Sequence, residues 1–324
     1  MTKRLIGGAL ALALAAVLAV PAAATPPGQN GLLQWSQETR SGVNLWVSNP
    51  DGSAARRVFA RAGRFDLLAG FSPTDPNLLF FSRGREAPFT VDILSGNLAS
   101  GEVDTVIGAR SDDVSPTFSP DGSRIAYFSV RKPRRIREDR PGPPERIKIA
   151  NADGSGARFI TARGALRSFD PEWSPDGTRI VYAESRPVGD SIQFRIVIIN
   201  ADGSGRRVLT RFGGVDEINP NFMPDGQAIV FERLRERGRR SDIAAMNPDG
   251  SGVRTILSTR AWETNPIPSP DGTRIAFTSD RAKRGRKRLN RRFEVYTMAV
   301  DGTDIQRVTN NRQPDFFPDW QRLP

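Results

Sequence analysis

The chain contains no cysteine and no histidine. Without cysteine there is no disulfide to staple the fold, no thiolate nucleophile and no thiolate-bound zinc, so the structure has to rest on its own apolar core. Without histidine the side chain that most often moves protons near neutral pH is missing, and so is the commonest metal ligand. Ser-His-Asp and Cys-His catalysis and His-ligated zinc are therefore excluded. Tyrosine is scarce at 3 residues, and two of them, Tyr127 and Tyr182, occupy equivalent positions of a repeat, which reads as structural. A helical period is also missing, because no segment places apolar residues at the spacing an amphipathic helix needs.

What is present fits a folded chain: 324 residues, 38% hydrophobic and 26% charged, with 30 Gly and 25 Pro. That length serves one large domain or two smaller ones. Lys3 and Arg4 precede an unbroken apolar run from Leu5 to Val20, followed by Ala22, Ala23 and Ala24. This is the pattern of a secretory signal peptide over 1–24, cleaved after Ala24. The run is short for a membrane span and no charged stop-transfer flank follows it. No cysteine follows it either, so lipid attachment is excluded. The mature chain, 25–324, is expected to be periplasmic or secreted, without a transmembrane segment, and monomeric.

A repeat organises that mature region. "SPTFSPDGSRIAYFS" at 115–129 is matched by "FDPEWSPDGTRIVYAES" at 169–185, "INPNFMPDGQAIVFE" at 218–232 and "TNPIPSPDGTRIAFTS" at 264–279. Each is followed by an alternating segment that ends in a second turn: "IKIANADGSG", "RIVIINADGSG", "DIAAMNPDGSG" and "EVYTMAVDGTD". A degenerate copy runs from "LLAGFSPTDPNLLFFS" at 67–82 to "SGNLASGE" at 95–102. A last copy is split between the ends of the chain, "FFPDW" at 316–320 supplying its first strand and "LLQWS" and "NLWVSNPDGS" the next ones. Aligned on Phe71, Phe118, Trp173, Phe222, Pro268 and Trp320, the copies lie 46 to 55 residues apart. Each reads as four short strands, and four strands at this period imply a β-propeller. The expected architecture is all-β with six four-stranded antiparallel blades, the ring closed by pairing the C-terminal strand with the N-terminal ones. "SPDG" joins strands one and two and "ADGSG" joins strands three and four, so both turn types share one face; Asp-Gly there is read as a type I′ hairpin turn.

The "PxWSPDGxxIxY…NxDGSGxxxxT" pattern resembles the PD40, WD40-like repeats of TolB-like six-bladed propellers, over roughly residues 30–322. The resemblance implies a propeller of the kind found in periplasmic TolB, which binds protein partners at the cell envelope. The α/β domain that precedes the propeller in TolB has no counterpart here. The same propeller accompanies the hydrolase domain of prolyl oligopeptidase-like enzymes, but this chain has no G-x-S-x-G elbow. The implied role is that of a non-catalytic binding module.

The second-to-third strand connections must face away from the Asp-Gly turns, and they carry the charge. They are 131–146, with Arg131, Lys132, Arg134 and Arg135; 233–240, with Arg237, Arg239 and Arg240; and 281–292, with Lys283, Arg284, Arg286, Lys287 and Arg288. The last holds eight Lys or Arg and no acid. Formal charge is +11. A one-sided cluster of this kind draws in anionic partners, here an acidic protein or an anionic envelope component. Solvated loops of an Arg-rich chain are the alternative. Nucleic acid is disfavoured, since no aromatic platform is interleaved with the basic residues. On the same face acids recur three residues before the repeat's proline: Asp66, Asp113, Glu217, Glu263 and Asp315, with Ser168 in the remaining copy and Asp170 nearby. They are candidates to converge at the channel mouth. There they could hold Ca²⁺, or serve a propeller hydrolase or lyase. Alternatively each satisfies its own loop.

Overall fold

The computed structural model describes residues 28–59, 64–85, 90–108, 111–131, 144–164, 166–189, 191–235, 240–282 and 293–323. Every regular element in it is a strand, as runs rich in Val, Ile, Phe and Tyr between Gly- and Pro-containing turns dictate. Four sheets each have four antiparallel strands in sequence order. They comprise β8 (Ser111–Phe118), β9 (Arg124–Arg131), β10 (Arg146–Asn151) and β11 (Arg158–Phe159); then β12 (Arg167–Trp173), β13 (Arg179–Val188), β14 (Ser191–Asn200) and β15 (Arg207–Val208). The third holds β16 (Asp216–Phe222), β17 (Ile229–Arg235), β18 (Arg240–Met246) and β19 (Arg254–Leu257), and the fourth β20 (Glu263–Pro268), β21 (Arg274–Ser279), β22 (Glu294–Ala299) and β23 (Gln306–Arg307).

The remaining strands form one larger sheet of eight: β1 (Gln29–Thr39), β2 (Gly42–Ser48), β3 (Arg56–Val58), β4 (Arg64–Phe71), β5 (Leu78–Arg85), β6 (Thr90–Asn97), β7 (Val103–Ile107) and β24 (Asp315–Leu323). Its order is β24-β1-β2-β4-β5-β6-β7, with β3 beside β2, and its two halves meet through one parallel pair, Val43 with Phe65. The C-terminal β24 pairs antiparallel with the N-terminal β1, placing Trp320 opposite Leu33. First strands touch one another in the sequence β24, β4, β8, β12, β16, β20 and again β24. The architecture is an all-β propeller of four-stranded antiparallel blades.

Middle strands do not simply alternate apolar and polar faces. Ile125, Ala126 and Tyr127 on β9 are consecutive and all 0% exposed, because each blade is covered on both faces by its neighbours. A sheet buried on both sides needs a near-continuous apolar strand.

The first turns differ from the expected type I′. Only the glycine of each Asp-Gly pair has positive φ, for example Gly122 at 71° and Gly177 at 67°. Gly122 N donates to the Ser119 carbonyl at 2.8 Å, and Pro120 supplies the fixed φ of a type I turn, which the left-handed glycine then exits. The aspartate serves the backbone: Asp121 accepts from the Ser119 hydroxyl and from Ser123 N. The second turns repeat the arrangement, with Asn151 N donating to the Ser155 carbonyl and Ser155 N to Asp153. Successive first turns also pack together, since a Cβ on Gly122, Gly177 or Gly226 would meet Thr74, Pro120 or Pro175 of the blade before it. One face of the propeller is thus an annulus of self-satisfied turns.

Candidate functional site

The opposite face begins where the first strands start, and the five acids singled out by the repeat lie there. All are buried: Asp66 2%, Asp113 1%, Glu217 4%, Glu263 0% and Asp315 0% exposed. The pairing register explains what each does. Asp66 stands directly across from Arg83 on β5 and receives both Nε (2.6 Å) and Nη2 (2.7 Å) of its guanidinium. Glu217 stands across from Arg233 and takes Nη2 at 2.9 Å. Asp113 accepts the Ser111 hydroxyl at 2.7 Å and lies 3.7 Å from Lys148 Nζ on the third strand of its own sheet. Glu263 accepts from Thr259 at 2.6 Å and pairs with Arg281 Nη2 at 2.9 Å. Asp315 takes neutral donors, Gln37 at 2.9 Å and Asn311 at 2.6 Å. Burial pushes its carboxyl up to about 6 against those hydrogen bonds.

The copy that has Ser168 reverses the pair. Its acid is Glu184, across the ladder from Ser168, and it binds Arg195 at 2.7 Å and Arg206 at 2.6 Å. Convergence of these acids on a common ligand is therefore not what the geometry gives: each is occupied by side chains of its own sheet. Among the described residues no group of three or more Asp, Glu, His or Cys is arranged to hold a metal ion. Of the basic-rim candidates, Lys132, Arg134, Arg135, Arg237, Arg239, Lys283, Arg284, Arg286, Lys287 and Arg288 lie outside the described residues, as does the side chain of Arg131. Arg240 opens β18, half-buried, opposite Arg235.

A second set of acids lies deeper in the blades, and of these the repeat pointed only to Asp170. Each first strand carries a β-bulge at one position, where a non-glycine residue is left-handed: Leu68, Ser115, Asp170, Asn219, Asn265 and Phe317, with φ between 53° and 60°. The register shifts there in every sheet. Asn and Asp tolerate this conformation because their short side chains bond locally; Leu and Phe hold it only under the constraint of their surroundings. Asp170, Glu172, Glu232 and Asp319 lie at or beside these bulges, exposed by 0%, 0%, 1% and 2%. Glu232 accepts from Asn219 Nδ2 at 2.8 Å, Trp262 Nε1 at 3.0 Å and the Thr264 hydroxyl. Glu172 accepts from the Thr117 hydroxyl at 3.2 Å and Trp173 N at 3.1 Å, and Asp319 from Phe71 N at 3.2 Å. Neither carboxyl oxygen of Asp170 has a hydrogen-bond partner. Burial drives Asp170, Glu172 and Asp319 well above the ordinary carboxyl range; the charge of Glu232 adds to the effect on Asp170, and that of Asp319 to the effect on Glu172. The available signal was an acid between proline and tryptophan, in "DPEW" and "FPDW", where other copies have Gly70, Thr117, Asn221 and Ile267.

Comparison with known proteins adds the family. Residues 135–323 match the PD40 family, described as the TolB beta propeller domain. A protein TolB homolog of Chlorobium luteolum is 25% identical over 190 residues, which is 59% of this chain and 29% of that protein. Crystalline TolB from Acinetobacter baumannii superposes with a TM-score of 0.69 at 17% identity, over 90% of this chain and 66% of that one. An oligogalacturonate lyase from Vibrio parahaemolyticus superposes with a TM-score of 0.58 at 12% identity, over 90% of this chain and 78% of that one. At such identities the two structures speak for the fold alone. The chain spans less than a third of the length of the curated relatives it matches. With more than half of its residues matched and the repeat's strands, turns and bulges all in register, the chain belongs to the TolB beta propeller domain family.

Proposed function

We propose that this chain is an exported binding module: a six-bladed, ring-closed propeller that docks an acidic protein or anionic envelope component on the face opposite its Asp-Gly turns, without catalysis. The eight-stranded sheet counts as two blades in this reading, since one parallel pair joins its halves. Closure is supported by the pairing of β24 with β1 and by the unbroken cycle of first-strand contacts. Export is supported by the leader pattern at 1–24. The observation that carries the reading is that the fold consumes one face and the entrance acids of the other. The turns satisfy themselves, and Asp66, Asp113, Glu217 and Glu263 are neutralised by cations of their own sheets. The other Lys and Arg of the second-to-third strand connections, at 283–292 above all, are the docking rim in this reading, since clustered positive charge attracts anionic surfaces.

The test is affinity capture from an envelope extract at moderate salt, comparing the chain from residue 25 onward with a variant whose Lys and Arg at 283–292 are changed to Ser, which leaves the Arg281–Glu263 pair in place. A discrete partner retained by the first and lost by the second is expected; equal recovery overturns the rim as the docking face. Cell fractionation tests export, and cytoplasmic retention of the unprocessed chain defeats it.

A hydrolase or lyase is the second reading, and one observation favours it: Asp170 and Asp319 keep carboxyl oxygens without hydrogen-bond partners. Incubation with oligogalacturonate and Mn²⁺ or Ca²⁺, followed by absorbance of an unsaturated product for a lyase and by assay of new reducing ends for either activity, separates the two readings. The binding module gives no product.

A further inference from the structure

Glu172 on β12 and Asp319 on β24 occupy the same register position of their strands, and β12 and β24 are three steps apart in the cycle of first-strand contacts. Asp170 lies two residues before Glu172, at the left-handed bulge. Leu68, Val114, Phe169 and Phe317, at or next to the bulges of four different first strands, belong to one buried apolar cluster. Charge buried beside such a cluster is poorly solvated.

Four acids in such a place call for compensating cations, and among the described residues none forms an ion pair with them. The cations across the ladders are matched with other acids: Arg83 with Asp66, Lys148 with Asp113, Arg233 with Glu217, Arg235 with Asp242, Arg281 with Glu263. Asp315 and Glu294, the remaining acids on that side, are held by Gln37, Asn311, Arg307 and Thr309. Among the described residues the four acids receive only neutral donors, and those donors are unequally shared. Glu232 is held by side-chain donors from Asn219, Trp262, Thr264 and Ser241 and Glu172 by Thr117 and Trp173 N, whereas Asp319 has backbone N–H groups alone, from Phe71 and Trp320, and Asp170 has no donor. Hydrogen bonds hold negative charge where they are given, and an isolated buried carboxylate takes up a proton instead.

We propose that the centre of this propeller is a proton-holding site: Asp170 and Asp319 are carried as neutral carboxylic acids near Glu232 and Glu172, and their ionisation loosens the ring. The inference is independent of the docking face. Its sign follows from linkage. An acid whose folded value lies above its unfolded value of about 4 binds a proton on folding, so its contribution is fully present below that value and is lost as pH rises through the folded value. Burial raises all four groups, and Asp315, pushed up to about 6, acts in the same direction.

The experiment is thermal unfolding between about pH 5 and pH 8.5 for the whole mature chain, for Asp170→Asn and for Asp319→Asn, with and without Ca²⁺. Asparagine copies the neutral acid in size and cannot ionise. For the parent a fall of at least about 2–4 °C in Tm across this span is expected, the size of about 1 kcal/mol in a chain this long. Each variant should lose part of that slope and be the more stable protein at the alkaline end. A parent Tm that is flat or rises with pH, or variants that keep the full parent slope, overturn the proposal. So does Ca²⁺ that restores the parent Tm at alkaline pH but leaves the variants unmoved, because that result makes the site a cation site. Should a variant fail to fold, carboxyl carbon NMR on the parent decides, with the Asp315 resonance identified in Asp315→Asn: two further aspartate resonances still titrating above about pH 6 support the proposal, and titration of all but Asp315 by about pH 5 overturns it.

Discussion

Asp66 and Arg83 show how one residue's role is set by its partner across the ladder. Both are buried, at 2% and 8% exposure, and two parallel N–H groups of the guanidinium point at the two carboxylate oxygens. Removing one member leaves a buried charge unmatched, which typically costs 3–5 kcal/mol, whereas removing both often costs little. Arg83→Ala is therefore expected to lose about 3–5 kcal/mol in urea unfolding, and the double change Asp66→Leu with Arg83→Leu to recover most of that loss. A single variant without effect would mean that the acid is not structural. The recurrence of this acid was legible in the sequence, but its partner was not. Arg83, Lys148 and Arg233 sit at different distances along the chain; the strand register brings Arg83 and Arg233 opposite their acids, and Lys148 reaches Asp113 from the third strand. Asp170, Glu172 and Asp319 were harder still: a repeat comparison highlights what recurs, and these three acids are departures from it.

At the scale of the element, the turns carry the same lesson in reverse. Strands, their order and the side of the propeller on which Asp-Gly falls all follow from the repeat. The turn type does not, because Asp-Gly suits a type I turn with a left-handed exit as well as a type I′ turn, and the copies with Ala152, Ala201 or Val300 before Asp-Gly form the same turn as those with proline. Glycine is required at the exit for two separable reasons. At Gly101, φ is 78° and a Cβ would meet nothing within 4 Å. At Gly154, φ is 84° and a Cβ would lie 2.3 Å from the Val106 carbonyl oxygen of the neighbouring sheet. Gly101→Ala should cost about 1–2 kcal/mol, the backbone penalty alone. Gly154→Ala should cost about 1–3 kcal/mol more, because the blades must move apart to admit the methyl group. Urea midpoints of the two variants measure the difference; equal losses would mean that the outer turns do not hold neighbouring blades in contact. The bulge of the first strands was within reach of the sequence too. Asp-Pro and Asn-Pro at 170–171, 219–220 and 265–266 interrupt otherwise apolar strands, a local signal of irregular backbone.

For the whole molecule, the question is whether the two ends of the chain stabilise only each other or the entire ring. β24 is hydrogen-bonded to β1 and also touches β4, β20, β21 and β22, so it is the strand through which the first and last parts of the chain are joined. It contributes Trp320 at 2% exposure and Phe317 at 4%, and Asp319 to the central set of acids. Each aromatic alone is worth about 3–5 kcal/mol when truncated in a core. Losing both, together with the hydrogen bonds to β1, approaches the 5–15 kcal/mol that holds a typical domain together. It also exposes the edge of β1, a template for aggregation. Deleting 315–324 should therefore abolish the cooperative thermal transition and not merely lower its midpoint. A synthetic peptide covering 313–324 should restore the transition when added in excess, since it can pair with β1 in place of the missing strand. A deletion variant that still melts cooperatively near the parent temperature would show that the propeller is held without its C-terminal strand. In that case the split copy of the repeat would be an accessory to the fold, and the proposed closure through the chain ends would fall.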